Sequence, residues 1–175
     1  MRFLFHAGVT FLLLAAACRR GPSDAGDGQV LAEWRGTHRG RFVAPMSATH
    51  CPESGVVELI AVRGDTGVGL VLYPADSARI VSGEYQIVPP ATAVPPRPAA
   101  GAALRWFTGI DLSPFEGTSG SVQVTVADSL LSGSLAVRME QPSGTDTLAL
   151  TGRFTALVVQ RLDAGCSRTS RRNLN

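Results

Sequence analysis

The chain has 175 residues, of which 45% are hydrophobic and 17% are charged, with 16 basic and 14 acidic side chains. This near balance excludes the strongly basic surface that proteins use to engage nucleic acids. Every basic residue is an arginine, so chemistry that needs a lysine, such as a Schiff base or the P-loop lysine, is excluded as well.

The N-terminal segment is an apolar run over residues 3–17 that follows Arg2. A positive start, a short apolar core and an end of small residues are typical of a secretory signal, and such a run is too short for a comfortable transmembrane helix. The sequence therefore predicts export, with residues 1–17 removed as a signal peptide.

Residues 14–17, Leu-Ala-Ala-Ala, precede Cys18 and together with it resemble the lipobox of bacterial lipoproteins. The resemblance implies cleavage before Cys18 and diacylation of that cysteine, and two acyl chains would hold the protein firmly on a membrane. Ala15 departs from the leucine that is usual at its position, so an ordinary signal peptide cut after Ala17 is the alternative. Arg19, in place of an aspartate, favours the outer over the inner membrane.

Composition divides the rest of the chain into three parts. Residues 18–28 are rich in Gly, Ser, Asp and Pro and predict a flexible tether between lipid and domain. Residues 29–166 are expected to form one folded domain. Residues 167–175 contain three arginines among polar residues and predict a disordered basic tail.

The first half of the domain shows short runs with β-branched residues, separated by Gly, Pro, Asp and Ser, which is the pattern of β-strands. The predicted strands are residues 31–36, 40–44, 56–62, 68–73 and 84–88. Trp34 and Phe42 are expected to be buried anchors of the first pair. Residues 63–67, Arg-Gly-Asp-Thr-Gly, predict a hairpin turn. The first three spell the integrin-binding tripeptide Arg-Gly-Asp, but the turn explains them better than integrin binding does.

The second half begins with a proline-rich segment, residues 89–98, which predicts an extended surface crossover. Residues 112–117 predict a loop or a single helical turn. Further strands are predicted at residues 103–108, 122–126, 135–139 and 147–159, the last with a bend near Gly152. Residues 128–133 and 141–145 are expected to be turns.

These elements predict an all-β fold, a single antiparallel β-sandwich or β-barrel of about eight or nine strands. No segment after the leader shows the apolar stripe of an ordinary helix. The last third is similar to a pattern of uncharacterised all-β envelope lipoproteins, carried here by residues 120–125, 132–134 and 151–154. That resemblance implies the fold and no activity.

Two cysteines, Cys51 and Cys166, bracket most of the domain. In an oxidising compartment they are expected to form a disulfide. The alternative, a metal site that adds His50, lacks a fourth ligand at a recognisable spacing. The sequence therefore predicts no metal ion and no cofactor.

No catalytic constellation is recognisable in the chain. His38 lies in a polar turn and is expected to be solvated, whereas His50 is expected to bond to the local backbone. The serines near residue 119 do not fit the nucleophile-elbow pattern. The sequence thus favours a protein that is not an enzyme.

The best candidate ligand site combines two aromatic residues with two nearby carboxylates. Trp106 and Phe107 precede Asp111 and Glu116, as a sugar-binding cleft or a glycosidase would require. The alternative is that the same residues form a loop that a buried aromatic side chain anchors to the core.

Three functions are compatible with these features. The first is a lipid-anchored envelope domain that binds an unknown protein or small molecule, or has a structural role, with the membrane as its partner through the lipid. The second is a lipocalin-like carrier of small apolar ligands, although Ala32 stands where the lipocalin pattern G-x-W requires glycine. The third is an envelope hydrolase or carbohydrate-active protein.

Overall fold

The computed structural model describes residues 26–162, and in this range the chain forms ten β-strands and no helix. The strands are β1 (Gln29–Gly36), β2 (Gly40–Pro45), β3 (Ser47–Cys51), β4 (Val56–Arg63), β5 (Thr66–Tyr73), β6 (Gly83–Ile87), β7 (Ala99–Thr108), β8 (Asp111–Ala127), β9 (Leu130–Glu140) and β10 (Thr147–Arg161). All ten belong to one mixed sheet, which confirms the predicted all-β class. Between residues 26 and 162 there is no helix of the length and apolarity that crossing a membrane would need.

The sheet closes on itself as a ring, because β10 pairs with β1 and β3 on one edge and with β9 on the other. From β3 the ring continues through β4, β5 and β7 to β8 and β9, and the short β6 pairs with both β7 and β8. Closure satisfies backbone groups that an open sheet would leave at its edges.

Two pairings correct the predicted antiparallel arrangement, since β3 runs parallel to β10 and β6 runs parallel to β7. The proline-rich segment that follows β6 provides the crossover that a parallel pair requires. The strand count is ten instead of eight or nine, mainly because the polar sequence of β3, Ser-Ala-Thr-His-Cys, does not look like a strand. Its ladder partners, β4 and β10, impose the extended conformation.

The predicted loop or helical turn at residues 112–117 is wrong, because these residues lie inside β8. Pro114 is tolerated there because this first part of β8 pairs with β7 alone, and the ladder to β9 begins only at Glu116. The predicted bend of β10 is displaced from Gly152 to Ala156, whose φ of 50° accompanies a bulge between Phe154 and Leu157.

The interior of the ring of strands is filled by a packed apolar core and does not form an open cavity. Trp34 and Phe42 are buried as predicted. The largest side chains that are almost fully buried are those of Tyr85, Phe115, Phe154, Leu59, Leu70, Leu72, Leu104, Leu131, Met139, Leu150 and Leu157. They come from inward positions of seven of the strands and one core cluster joins them. Burial of this apolar surface is the main source of the fold's stability.

The strand directions define two ends of the ring. At the proximal end β1 begins and β10 finishes, and the backbone amide of Gly28 donates to the carbonyl of Thr155 over 2.8 Å. The distal end carries the turns at residues 37–39, 64–65, 109–110 and 141–146. The chain therefore enters the domain at the end opposite to these four turns.

Burial raises the pKa of both tyrosines above the ordinary phenol value of 10.0. Tyr85 is buried and its hydroxyl donates to the carbonyl of Val81 over 2.8 Å, and burial raises the pKa of this phenol above 10.0. The pKa of Tyr73 is raised mainly by burial, although Arg97 partly lowers it. Because the folded state favours the neutral phenols, stability is unaffected below pH 10 and falls as the pH rises further.

An absorbance titration of tyrosinate checks this expectation, with Tyr73→Phe leaving Tyr85 as the only tyrosine. The remaining phenol should titrate above 10.0 in the folded protein and near 10.0 in urea. A folded-state value at or below 10.0 would contradict the burial argument.

Candidate functional site

Three stacked aromatic side chains close the interior of the ring of strands at its distal end. Trp106 lies between Trp34 and Phe115, with ring centroids 5.6 Å and 5.1 Å away and interplanar angles of 16° and 12°. The three residues come from β1, β7 and β8, at inward positions. Both faces of the Trp106 indole are therefore covered by protein, and stacked aromatic pairs of this kind add stability beyond their buried area.

His38 fixes the turn beside this stack. Its ring meets Trp106 and Phe115 edge to face, with centroids 5.5 Å and 6.3 Å away. Its Nε2 lies 3.2 Å from Oδ2 of Asp146, so the imidazole N–H donates to the carboxylate of the β9–β10 turn. Thr37 ties the same two turns, because its backbone amide and its hydroxyl both donate to the carbonyl of Thr147.

Gly40 covers the outer face of Trp34, and alanine is expected to be poorly tolerated there. A Cβ at this position would overlap Cζ2 and Cε2 of the indole, so Trp34 or the β1–β2 hairpin must shift. Overpacking of this kind costs about 1–3 kcal/mol of unfolding free energy. Urea unfolding followed by the fluorescence of Trp34 and Trp106, the only tryptophans, measures the loss.

Gly69→Ala is the matched control for that variant. Gly69 also belongs to a strand, at an interior position of β5, but a Cβ there meets no atom within 4 Å. Alanine at this position should be neutral or stabilise by about 0.4–1 kcal/mol, because it reduces the freedom of the unfolded chain. Equal stability of the two variants would show that Gly40 does not support the indole.

The ring has a seam at the distal end, between β2 and the end of β4. Among the described strands β2 pairs only with β1. The ladder between β3 and β4 reaches its last pair at Ser47 and Ile60, so residues 61–63 extend beyond it. A side-chain hydrogen bond crosses the seam, from Nη1 of Arg63 to the carbonyl of Val43 over 3.0 Å.

A cleft of about 330 Å³ opens at this seam, and we call it the seam cleft. Its walls are the β1–β2 turn on one side and the β4–β5 turn on the other, with the edges of the indoles below. The residues that line it are Trp34, His38, Arg39, Gly40, Arg41, Asp65, Thr66, Trp106 and Phe107.

The polar groups around the seam cleft carry an excess of positive charge. Arg39 and Arg41 are exposed on one wall, and Asp65 is the only carboxylate among the lining residues. Nε of Arg41 lies 3.7 Å from Oε1 of Glu33, so its charge is partly balanced. Arg39 has no hydrogen bond or ion pair to residues 26–162. A guanidinium in this situation can bind a carboxylate or a phosphate through two parallel hydrogen bonds.

The structure brings together only two of the four predicted ligand-site residues. Trp106 and Phe107 both line the seam cleft, but Trp106 offers an edge and not a face. Asp111 lies at the exposed tip of the β7–β8 hairpin, opposite Thr108, whereas Glu116 faces Ala103 on the outer surface of the ring.

Asp111 and Glu116 do not form a glycosidase pair. Glu116 follows Asp111 by five positions of extended strand, which is about 16 Å along β8, and the odd spacing directs them to opposite faces. Retaining and inverting glycosidases need carboxyl groups about 5–10 Å apart. Neither residue lines the seam cleft.

His50 and Cys51 lie at the end of β3 and both are buried. Nε2 of His50 is 3.1 Å from the carbonyl of Ser77, so this histidine bonds to backbone that is distant in sequence, not to its neighbours. Cys18 and Cys166 lie outside the described residues, and the predicted lipidation and disulfide stay predictions. Within residues 26–162 no group of three or more His, Cys, Asp and Glu side chains is arranged to hold a metal ion.

Sequence reasoning missed the contribution of the β1–β2 hairpin to the site. From the sequence, His38 is expected to be a solvated residue of a polar turn between Arg39 and Arg41. The available signal was the concentration of cationic side chains in a short turn directly after Trp34, the residue that anchors the predicted first strand.

Comparisons with protein-family models, with curated proteins and with solved structures give no match for this chain.

Proposed function

We propose that this chain is a lipid-anchored binding domain of the bacterial cell envelope and that the seam cleft takes a small ligand bearing a carboxylate or a phosphate. The observation that carries the proposal is Arg39, an exposed guanidinium on the wall of a preformed cleft that has no hydrogen bond or ion pair to any of residues 26–162. Charge-assisted hydrogen bonds to such a group contribute about 1.5–3 kcal/mol each.

The leader supports the envelope location and the anchor. Residues 1–17 and Cys18 resemble a lipoprotein signal, and Arg19 favours the outer membrane. The chain enters the fold at the proximal end, so a lipid on Cys18 would hold that end towards the membrane. The seam cleft, at the distal end, would then face away from the membrane surface.

The packed interior favours this surface site over a lipocalin-like carrier. A carrier needs an enclosed apolar cavity, whereas the space inside the ring is occupied by side chains such as Phe115, Phe154 and Tyr85. The rigid aromatic stack beneath the cleft instead provides a fixed floor, which reduces the ordering cost of binding.

Isothermal titration calorimetry with three probes tests the proposal. Glucuronate carries a ring and a carboxylate, inorganic phosphate carries charge alone, and glucose carries a ring alone. We expect glucuronate and phosphate to bind in a salt-dependent manner and glucose to show no saturable heat.

Arg39→Ala should weaken glucuronate binding about tenfold or more, because it removes the charged hydrogen bonds. Arg35→Ala is the matched control, since Arg35 is similarly exposed on the same hairpin but lies outside the cleft, 4.0 Å from Glu33. Equal weakening by both variants, or no binding of either anion, would refute the proposed site.

A further inference from the structure

One outer face of the ring is apolar, although outward positions of an antiparallel sheet normally face water and are polar. This face consists of the outward residues of β4, β5, β7 and the first part of β8, and we call it the apolar face. Two ladder rows cross it. They are Ile60, Gly69, Ala103 and Glu116 in one row and Val62, Gly67, Arg105 and Pro114 in the next.

Exposed hydrophobic side chains concentrate on and beside this face. Of the eleven large hydrophobic residues that are exposed in the described part of the chain, five are here: Ile60, Val62, Phe107, Ile110 and Leu112. The last three form the end of the β7–β8 hairpin, and Ile110 at its apex is 94% exposed. We call these three residues the knob. Contiguous exposed apolar surface of this kind marks an interaction site.

The same face carries a depression at its proximal half. Gly69, Gly101 and Ala103 form the floor, Ile60 and the proline-rich segment contribute walls, and the volume is about 390 Å³. A Cβ added at Gly69 or Gly101 would meet no atom within 4 Å, so the floor is open. We call this depression the glycine pocket.

We infer that the apolar face binds a second copy of this chain, with the knob of each copy in the glycine pocket of the other. Knob and pocket lie on one face, and Phe107 is six residues after Gly101 on β7, about 20 Å along the strand. A two-fold axis that crosses β7 near Leu104 superimposes Phe107 of one copy on Gly101 of the other. Such self-complementary pairing is the usual geometry of a symmetric dimer.

The charged residues on the apolar face favour a second copy of the chain over a lipid surface as its binding partner. Glu116 lines the glycine pocket on the side of the axis and Arg105 lies between the pocket and the knob, and neither forms an ion pair within residues 26–162. The two-fold relation places Arg105 of one copy beside Glu116 of the other, twice in the dimer. A lipid surface would instead leave Glu116 and Glu58, which also lines the pocket, facing the membrane without a partner.

Sedimentation velocity tests this inference on the exported chain carrying Cys18→Ser, which cannot be acylated. We expect twice the monomer mass. Gly101→Phe places a ring in the open pocket, where a Cβ at this position meets no atom within 4 Å, and should yield monomers with an unchanged circular dichroism spectrum. Thr125→Phe adds the same ring at an exposed position of β8 outside this face and should remain dimeric.

Charge reversal gives the second arm of the test. Arg105→Glu and Glu116→Arg should each lower the association constant about tenfold or more, and the double variant should restore most of it. Arg39→Ala should leave the dimer intact, so this result is independent of the seam cleft. A monomeric parent chain, a dimer that tolerates Gly101→Phe, or a double variant without recovery would each overturn the inference. A monomeric parent chain that binds phosphatidylglycerol vesicles through Phe107 would show a lipid surface as the occupant.

Discussion

Phe115→Ala is expected to destabilise the domain by about 3–5 kcal/mol. The ring of Phe115 is almost completely buried and forms the last layer of the stack with Trp106. Alanine removes this layer, and the surrounding strands cannot collapse into the space because they are held by ladders on both sides of the ring. Urea unfolding at a monomer concentration measures the loss directly.

Circular dichroism of the two indoles shows whether the loss of stability in Phe115→Ala comes from the aromatic stack. The indoles of Trp34 and Trp106 are close enough to couple, so the exciton signal in circular dichroism should change when Phe115 no longer holds Trp106 in place. Phe107→Ala is the control, because Phe107 lies on the same hairpin but is 43% exposed and should cost about 1 kcal/mol or less. A Phe115→Ala protein as stable as Phe107→Ala would show that the stack does not support the fold.

Removal of the predicted disulfide, by Cys51→Ala with Cys166→Ala, is expected to cost about 4–5 kcal/mol. The physical reason is the long loop that the bond would close in the unfolded chain. The last described residue lies beside this part of β3, because the backbone amide of Leu162 donates to the carbonyl of His50 over 3.0 Å. Leu162 precedes Cys166 by four residues, and His50 is next to Cys51.

Thermal unfolding of the double variant should show a melting temperature lower by on the order of 10 °C. The parent chain treated with a reductant serves as the comparison and should unfold at the same lower temperature. Mass mapping of peptides before and after reduction establishes the connectivity. A free thiol on Cys51 in protein produced under oxidising conditions, or an unchanged melting temperature in the double variant, would contradict the disulfide.

Local sequence patterns predicted the strands that have strong signals of their own. The turn at residues 63–67 and the alternation at residues 122–126 identify β5 and β8 without any knowledge of the fold. Strand β3 escaped prediction because its residues are polar and small, and only its neighbours in the ring keep it extended. The parallel pairs were also missed, since connection length does not reveal which strands will be adjacent.

The candidate site was predictable only in part, for a similar reason. Trp106 and Phe107 stood out as aromatic residues. The indole of Trp34 that covers one face of Trp106, however, comes from β1, which is far away in sequence. Whether Asp111 and Glu116 converge depends on whether their segment is a loop or a strand. A strand with an odd spacing separates them, and the sequence alone favoured the loop.

The pairing of β1 with β10 has a consequence for how the protein is made. The first strand pairs with residues 148–155 of β10, so the ring cannot close until β10 has been synthesised. Until then, β1 and β9 present unpaired edges that are prone to aggregation. A chain that stops before residue 147 should therefore accumulate as an insoluble or degraded product, whereas small changes in the turns should leave the yield of folded protein unchanged.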